Sequence, residues 1–381
     1  MSDEQPTILV VDDTPANLKL ASGLLKEHYR VKAANNGAKA LQIAASDTPP
    51  DLILLDIMMP EMDGYEVCRR LKADPKTAEI PIIFLTAKAE VDDEAFGLEL
   101  GAVDYITKPI SPPIAMARIK THIDLFQQRN ALIQSQAMLA EELNEAADYV
   151  QGLLPKHLEG RVRTRYEFIP STSLGGDGFG HHWLDEDRLA IYLLDVCGHG
   201  VGAALLSITA LNSLRSEGFT GVDFGAPAEV LGALNAAFPM EEHNNKFFTM
   251  WYGVFDRANK TLRYASAGHP PALLVTGDGA LVELTTGNIA IGFMPDYPFS
   301  EAEVTCDTPS KLYVYSDGVY EIEQQDRTVM SLADFVALMS QFTDIERHQA
   351  ADILAHMRTA KVGEGAFDDD FSLLELQFND E

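Results

Sequence analysis

Four aspartates in this sequence are placed to do chemistry together, although almost two hundred residues separate the first from the last. Asp195 stands in Leu194-Asp195-Val196-Cys197-Gly198-His199-Gly200, at the end of the apolar run 189–194. Asp177 follows Gly175-Gly176, Asp317 lies in Tyr315-Ser316-Asp317-Gly318, and Asp369 lies in Asp368-Asp369-Asp370-Phe371-Ser372. An aspartate at the end of a core strand is costly unless something pairs with it. Several carboxylates converging without basic partners repel one another. Hard divalent cations resolve that repulsion, and an oxygen-only ligand set favours Mg²⁺ or Mn²⁺ over zinc. The chemistry this predicts is two-metal hydrolysis.

A second constellation lies near the N-terminus. Asp12 and Asp13 follow one apolar run and Asp56 follows another, with Thr86 and Lys108 at the ends of two more. Three carboxylates at one sheet edge can hold Mg²⁺, and a lysine and a hydroxyl beside them can hold a phosphoryl group.

The elements that must position these residues differ between the two parts of the chain. Up to about residue 120, apolar runs at 8–11, 29–33, 52–55, 82–85 and 105–107 alternate with helical patterns near 16–27, 37–46, 64–74, 90–100 and from 112 onward. That alternation predicts βαβ units, a doubly wound α/β domain with five parallel strands. Ligands bind such sheets at the carboxyl ends of the strands, where the acids, the threonine and the lysine fall. Beyond residue 157 the texture changes. Strands are expected at 188–196, 249–256, 261–267, 272–275, 311–316 and 372–378, and helices near 200–215, 227–238, 331–342 and 349–360. Strands grouped between helices predict an α+β domain with antiparallel sheet.

The first constellation in chain order resembles the CheY-like receiver domain of two-component response regulators, over about residues 1–120. The resemblance implies that Asp56 accepts a phosphoryl group from a histidine kinase or a phosphotransfer protein. Asp12, Asp13 and Asp56 would hold Mg²⁺ with the Met58 carbonyl, and Lys108 would contact the acyl phosphate. Thr86 and Tyr105 would be the switch pair. Pro60 and Gly64 fit the loop after the acceptor.

The later motifs, together with Ser266-Ala267-Gly268-His269-Pro270-Pro271, resemble the PPM family of metal-dependent protein serine/threonine phosphatases, in its bacterial SpoIIE-like branch, over roughly residues 150–381, with the domain itself read as 157–381. The resemblance implies an α-β-β-α sandwich with two Mn²⁺ or Mg²⁺ ions. Asp195 would bridge both, with the Val196 carbonyl joining one. Asp177 would hold the second ion, and Asp317 and Asp369 the first. Asp369 is chosen over Asp368 and Asp370 because Phe371-Ser372 then opens the last strand in the family register. Many relatives carry another acid three residues after the first, where this chain has Gly180 followed by His181 and His182. Either this branch never used that acid, or one metal is held more weakly. Adjacent strand residues point to opposite faces, so the two histidines do not form a ligand pair. His199 and His269 are expected in turn or cleft-rim roles, and Cys197 as a small packing residue.

Between the domains, residues 121–156 read as a helical coiled-coil linker. Leu125, Leu132, Leu139, Ala146 and Leu153 recur every seven residues, with Leu143 and Val150 three before the last two. His122, Arg129 and Gln136 make the other row partly polar, which sets register at some loss of stability. The reading is a dimerising signalling helix; the alternative is a helix packed on its own domain.

Composition narrows the function classes. The net charge of −29 over 381 residues argues against a nucleic-acid surface, and no basic recognition helix is present. No run of 18 apolar residues exists to cross a membrane, and the acidic N-terminus reads as no signal peptide. Three scattered cysteines, Cys68, Cys197 and Cys306, suggest a reducing cytoplasm. Together the resemblances imply a response regulator whose phosphorylation controls a phosphatase. Its substrate would be a phosphorylated regulatory protein, such as an anti-sigma-factor antagonist. The alternative is a phosphatase-like adaptor that binds a regulatory partner without hydrolysis.

Overall fold

A computed structural model describes residues 5–87, 96–363 and 365–379. The chain divides into two compact units, Met1–Ala140 and Glu141–Glu381, and the division falls inside one long helix.

In the first unit the expected alternation is present. The elements are β1 (Thr7–Val11), α1 (Pro15–Leu25), β2 (Arg30–Ala34), α2 (Gly37–Ala44), β3 (Leu52–Asp56), α3 (Gly64–Ala73), β4 (Ile82–Ala87), β5 (Asp104–Lys108) and α4 (Pro112–Gly152). Residues 96–99 are helical, and most of the helix expected near 90–100 lies outside the described residues. The strands form a parallel sheet in the order β2-β1-β3-β4-β5. Both faces are covered, which is why the central strands read as unbroken apolar runs. Leu9, Val11, Ile53 and Leu55 pack on one side, with α2 and α3, while Ile8, Val10, Leu52 and Leu54 pack on the other, with α1 and α4. Helix starts are marked locally: Asn36 caps α2 through the Lys39 amide, and Asp63 caps α3 through the Glu66 amide.

Helix α4 is one element of 41 residues. Its first turns bury Ala115, Ile119 and Ile123 against the sheet. Two members of the expected polar heptad row are engaged there. His122 Nε2 lies 3.3 Å from Asp104 Oδ2, and Arg129 forms an ion pair with Glu79. These side chains pair with the first unit because Asp104 and Glu79 stand within their reach. Further along, Leu132 and Leu139 are more than half exposed.

The second unit contains β6 (Val162–Ile169), β7 (Gly178–Trp183), β8 (Arg188–Val196), α5 (Val201–Arg215), α6 (Pro227–Ala237), β9 (Phe248–Asp256), β10 (Thr261–Ala267), β11 (Ala272–Val275), β12 (Leu281–Leu284), β13 (Ala302–Thr305), β14 (Ser310–Tyr315), α7 (Leu332–Met339), α8 (Ala350–Ala360) and β15 (Phe371–Phe378). Two antiparallel sheets result, ordered β13-β10-β9-β8-β7 and β12-β11-β14-β15-β6. Strand alternation sorts the core into three layers. Leu189, Ile191 and Leu193 of β8 meet Leu312, Val314, Leu374 and Leu376 between the sheets. Ala190, Tyr192 and Leu194 face α5 and α6 on the other side of β8. Tyr313, Tyr315 and Leu373 face α7 and α8 beyond the second sheet. Among the described residues no helix is long and apolar enough to cross a membrane.

Candidate active site

At the carboxyl edge of the first sheet, carboxylate oxygens of Asp12, Asp13 and Asp56 all lie within 4.8 Å of one another. The Lys108 ammonium reaches Asp12 Oδ2 and Asp56 Oδ1, each at 2.8 Å. Asp12 is held by the Thr14 amide at 2.9 Å and by the Asn17 side-chain amide at 3.0 Å. Burial pushes the Asp56 carboxyl up, against the pull of Lys108, and Asp12 adds to the push. Burial alone would lower Lys108, but its bonds to Asp12 and Asp56 outweigh it and hold the ammonium above its ordinary value. Met58 donates its amide to Asp56 and exposes its side chain. Gly64 follows directly: a Cβ there would sit 2.3 Å from the Asp56 carbonyl, so only glycine admits this loop. Thr86 is buried, its hydroxyl donating to the Ala87 carbonyl at 2.6 Å. Thr86, Tyr105, Ile57 and Phe84 line a small cavity, and the Arg118 guanidinium lies 5.3 Å from the centre of the Tyr105 ring.

In the second unit the four expected aspartates gather where the two sheets meet at one end. Asp195 is the penultimate residue of β8, and Asp317 opens the turn after β14. Asp177 lies in the loop before β7 and Asp369 in the loop before β15. Their spacing is wider than in the first unit: among the described residues, no three of them bring ligand atoms within 4.8 Å. Their electrostatic neighbourhoods show the layout. Asp177 is pushed well up by burial, then by Asp195 and Asp370. Asp317 is pushed up to about 6 by burial, then by Asp369 and Glu321. Asp195 is pushed up to about 7 by burial, then by Asp317, Asp369 and Asp370, while a hydrogen bond with Asp177 pulls the other way. Asp195 therefore stands between two groups of acids.

No lysine, arginine or histidine forms an ion pair with any of the four among the described residues. The nearby Lys246 ammonium donates instead to the Cys197 carbonyl at 3.2 Å. Asp177 Oδ2 is buried without a well-formed hydrogen bond, although the Ser316 and Ser372 hydroxyls lie near the carboxyl. A buried carboxylate oxygen left so, an all-oxygen donor set and unrelieved repulsion together fit hard divalent cations.

Sequence reasoning missed Asp370. Its buried carboxylate accepts the Ser171 amide at 2.8 Å, the Ser171 hydroxyl at 2.9 Å, the Gly176 amide at 2.6 Å and the Asp177 amide at 3.3 Å. It shapes the loop that presents Asp177. Asp369 is exposed and accepts the Asp370 amide at 2.8 Å. His269 lies in a turn, as expected, between β10 and β11, but it is buried. It is 5% exposed, because the turn that carries it is tucked between the two sheets, and its Nδ1 lies 2.8 Å from the Thr249 hydroxyl. His199 is exposed in its turn. Cys197 Sγ accepts the Phe247 amide at 3.3 Å.

Gly180 also resolves physically. It sits opposite Tyr192 on β8, and a Cβ would fall 2.5 Å from the tyrosine ring. The position faces the layer under α5, with no room for an acid. His181 is pushed down to about 4, first by burial and then by His157. His182 Nδ1 lies 3.3 Å from the Tyr192 hydroxyl.

Comparison with known proteins agrees with this division. Residues 8–120 match the response regulator receiver domain, and residues 185–379, a little over half the chain, match Stage II sporulation protein E. A Vibrio cholerae protein described as a probable cyclic di-GMP phosphodiesterase is 48% identical over 139 residues, covering 36% of this chain and 31% of that protein. The chain thus spans less than a third of that curated relative. Among solved structures, the SiaA-PP2C domain of Pseudomonas aeruginosa superimposes with a TM-score of 0.54 at 21% identity, covering 64% of this chain and 99% of that one. The RsbU and RsbW domains of a Mycobacterium tuberculosis protein give 0.50 at 26% identity, covering 59% and 62%. With its four separated aspartates on a two-sheet scaffold and a receiver before them, the chain belongs to the SpoIIE family of PP2C-type phosphatase domains.

Proposed function

We propose that this protein is a receiver-gated, two-metal phosphatase acting on phosphoserine or phosphothreonine in a small regulatory protein. The observation that carries the reading is Asp195: it stands between Asp177 on one side and Asp317 and Asp369 on the other, with a buried Asp177 oxygen left without a well-formed hydrogen bond. Asp195 would be shared between two Mn²⁺ or Mg²⁺ ions, with the Val196 carbonyl joining one. Asp177 would serve the second ion, and Asp317 and Asp369 the first. The chemistry such a bound pair supplies is Lewis acidity toward phosphoryl oxygens and activation of water. The chain itself fixes the carboxylates. Asp370 holds the Asp177 loop, and Ser316 donates its hydroxyl to the Asp370 carbonyl at 2.9 Å, tying the Asp317 turn to the Asp369 loop. The two sheets, with helices on their outer faces, support reading the domain as an α-β-β-α sandwich.

In the receiver, Asp56 would accept the phosphoryl group from a histidine kinase or phosphotransfer protein, with Mg²⁺ on Asp12, Asp13, Asp56 and the Met58 carbonyl. Lys108, already bonded to Asp12 and Asp56, would move onto the phosphoryl oxygens. Thr86 and Tyr105 share the cavity through which the change would spread. Helix α4 would carry it onward as a dimeric coiled coil. An anti-sigma-factor antagonist is the substrate class this architecture suggests by analogy. The adaptor alternative drew on Gly180, which packs on Tyr192 and does not bear on the cleft.

The test is phosphate release from an aryl phosphate in Mn²⁺ by the intact protein, by Asp195→Ala, and by the intact protein with beryllofluoride. Activity lost in Asp195→Ala and altered by beryllofluoride supports the reading. No release in any state returns the protein to the adaptor class.

A further inference from the structure

We infer that His269 is a positioning residue: a buried strut that sets the spacing between the strand carrying Asp195 and the strand leading to Asp317. This role rests on the cleft being a metal site.

The chain path delivers His269 to the middle of the domain. β10 belongs to one sheet and β11 to the other, and residues 268–271 are the crossing between them. Gly268 makes the turn at φ +65, donating its amide to the Asn288 carbonyl at 3.1 Å. Pro270 and Pro271 stiffen the entry to β11. His269 is therefore held between the sheets by a crossing with little freedom.

One ring nitrogen is tied to the sheet that contains β8 and β9. Nδ1 lies 2.8 Å from the hydroxyl of Thr249, which stands directly across from Asp195 in the β8–β9 pairing. On the other side, His269 stands in the crossing that leads into β11, and β11 pairs with β14, Leu273 opposite Tyr313, on the strand that leads to Asp317. Burial keeps the ring neutral. A neutral imidazole has one donor and one acceptor. With the ring proton on Nε2, Nδ1 accepts from the Thr249 hydroxyl. The strut thus ties the strand beside the shared acid to the crossing into β11, the neighbour of the strand that presents Asp317. The ring is buried from solvent, and its hydrogen-bonding neighbour is Thr249 rather than any of the four carboxylates.

The test is direct Mn²⁺ binding to the full chain, followed by the electron paramagnetic resonance signal of the free ion. All proteins carry Asp12→Asn, which removes the receiver's share of the metal. His269→Ala is expected to weaken Mn²⁺ binding about tenfold, the scale on which outer positioning groups act. His269→Asn keeps an acceptor for the Thr249 hydroxyl and recovers part of the loss. Thr249→Val weakens binding in the same direction, and combining it with His269→Ala adds little, because the two act through one bond. Thermal unfolding in chelator confirms that each variant is folded. If His269→Ala does not fold, Thr249→Val carries the test, since it removes a single hydroxyl. Unchanged Mn²⁺ affinity in folded His269→Ala and Thr249→Val overturns the strut. Mn²⁺ binding by the parent without aryl phosphate release overturns the phosphatase reading and leaves the strut standing. A parent that binds no Mn²⁺ overturns both.

Discussion

The carboxylate of Asp370 accepts the backbone amide of Gly176 at 2.6 Å, across 194 residues of chain. The bond joins the loops that present Asp369 and Asp177, so a site assembled from distant segments is held together through the backbone of one of them. Asp370 receives three backbone amides and one hydroxyl, and an asparagine would turn a donor toward some of them. Asp370→Asn should lower aryl phosphate turnover at least a hundredfold and destabilise the protein by about 2–3 kcal/mol, the scale of charged hydrogen bonds lost in a buried site. Asp368→Asn, an exposed neighbour, should leave both unchanged. Turnover and thermal unfolding of the two variants check this, and equal effects would contradict the assignment.

The raised carboxyls give metal-free protein an unusual pH response. Asp195 and Asp317 hold protons in the folded state to about 7 and about 6, whereas an unfolded chain releases them near 4. Below pH 4 both states are protonated and nothing is lost. As pH rises from 4 to 7 the unfolded chain ionises freely, while the folded cleft resists, so stability falls. Without metal, the unfolding temperature of the wild type should drop relative to Asp195→Asn by roughly 5 °C over that interval. Mn²⁺ should abolish the drop. A pH response identical in the two proteins would show that the cleft carboxyls ionise without strain.

Gly180 makes a sharper test of why the second acid is missing. Gly180→Asp should destabilise by about 2–3 kcal/mol through overpacking against Tyr192 and should not tighten Mn²⁺ binding. Tighter binding, measured by titration, would mean that the backbone can move to present the acid to the cleft.

The strands that sequence patterns reveal and those they hide differ in position. β8, β9, β10, β11, β14 and β15 are legible, and each has neighbours on both sides in its sheet. β6, β7, β12 and β13 escape notice, and these are the four sheet edges. An edge strand is half solvated, so its apolar run is broken: β13 alternates between intermediate and exposed residues, and β7 contains two glycines and two histidines. The same logic separates the site residues. Asp195 betrays itself by ending a buried strand. Asp370 is buried by a contact 194 residues away, and one acid among three in a row carries no sign of that. His269 looks like a turn residue because its partner, Thr249, lies in another strand.

Phosphoryl uptake by the receiver follows from the Asp12, Asp13 and Asp56 cluster. Incubated with acetyl phosphate and Mg²⁺, the protein should gain one phosphoryl mass, and Asp56→Asn should gain none. Lys108→Ala removes the cation that shares Asp12 and Asp56, so Mg²⁺ should bind severalfold more tightly while the phosphoryl group is held less well. Mass spectrometry and Mg²⁺ titration read the two effects. Uptake persisting in Asp56→Asn would place the acceptor elsewhere.

The α4 seam can be tested by position along the helix. His122 and Arg129 are bound to Asp104 and Glu79, so a second copy would meet the helix mainly beyond Arg129. There Leu132 and Leu139 are 59% and 57% exposed, at heptad spacing, and Leu143 and Val150 continue the other row. Such a run of apolar residues is stable in water when a partner helix covers it. The wild type should sediment as a dimer, and Leu139→Asp should be monomeric at the same concentration. Leu125→Asp, placed beside the residues engaged with the receiver, should weaken the dimer less. A monomeric wild type, or equal effects at the two leucines, would mean that α4 does not pair along this face.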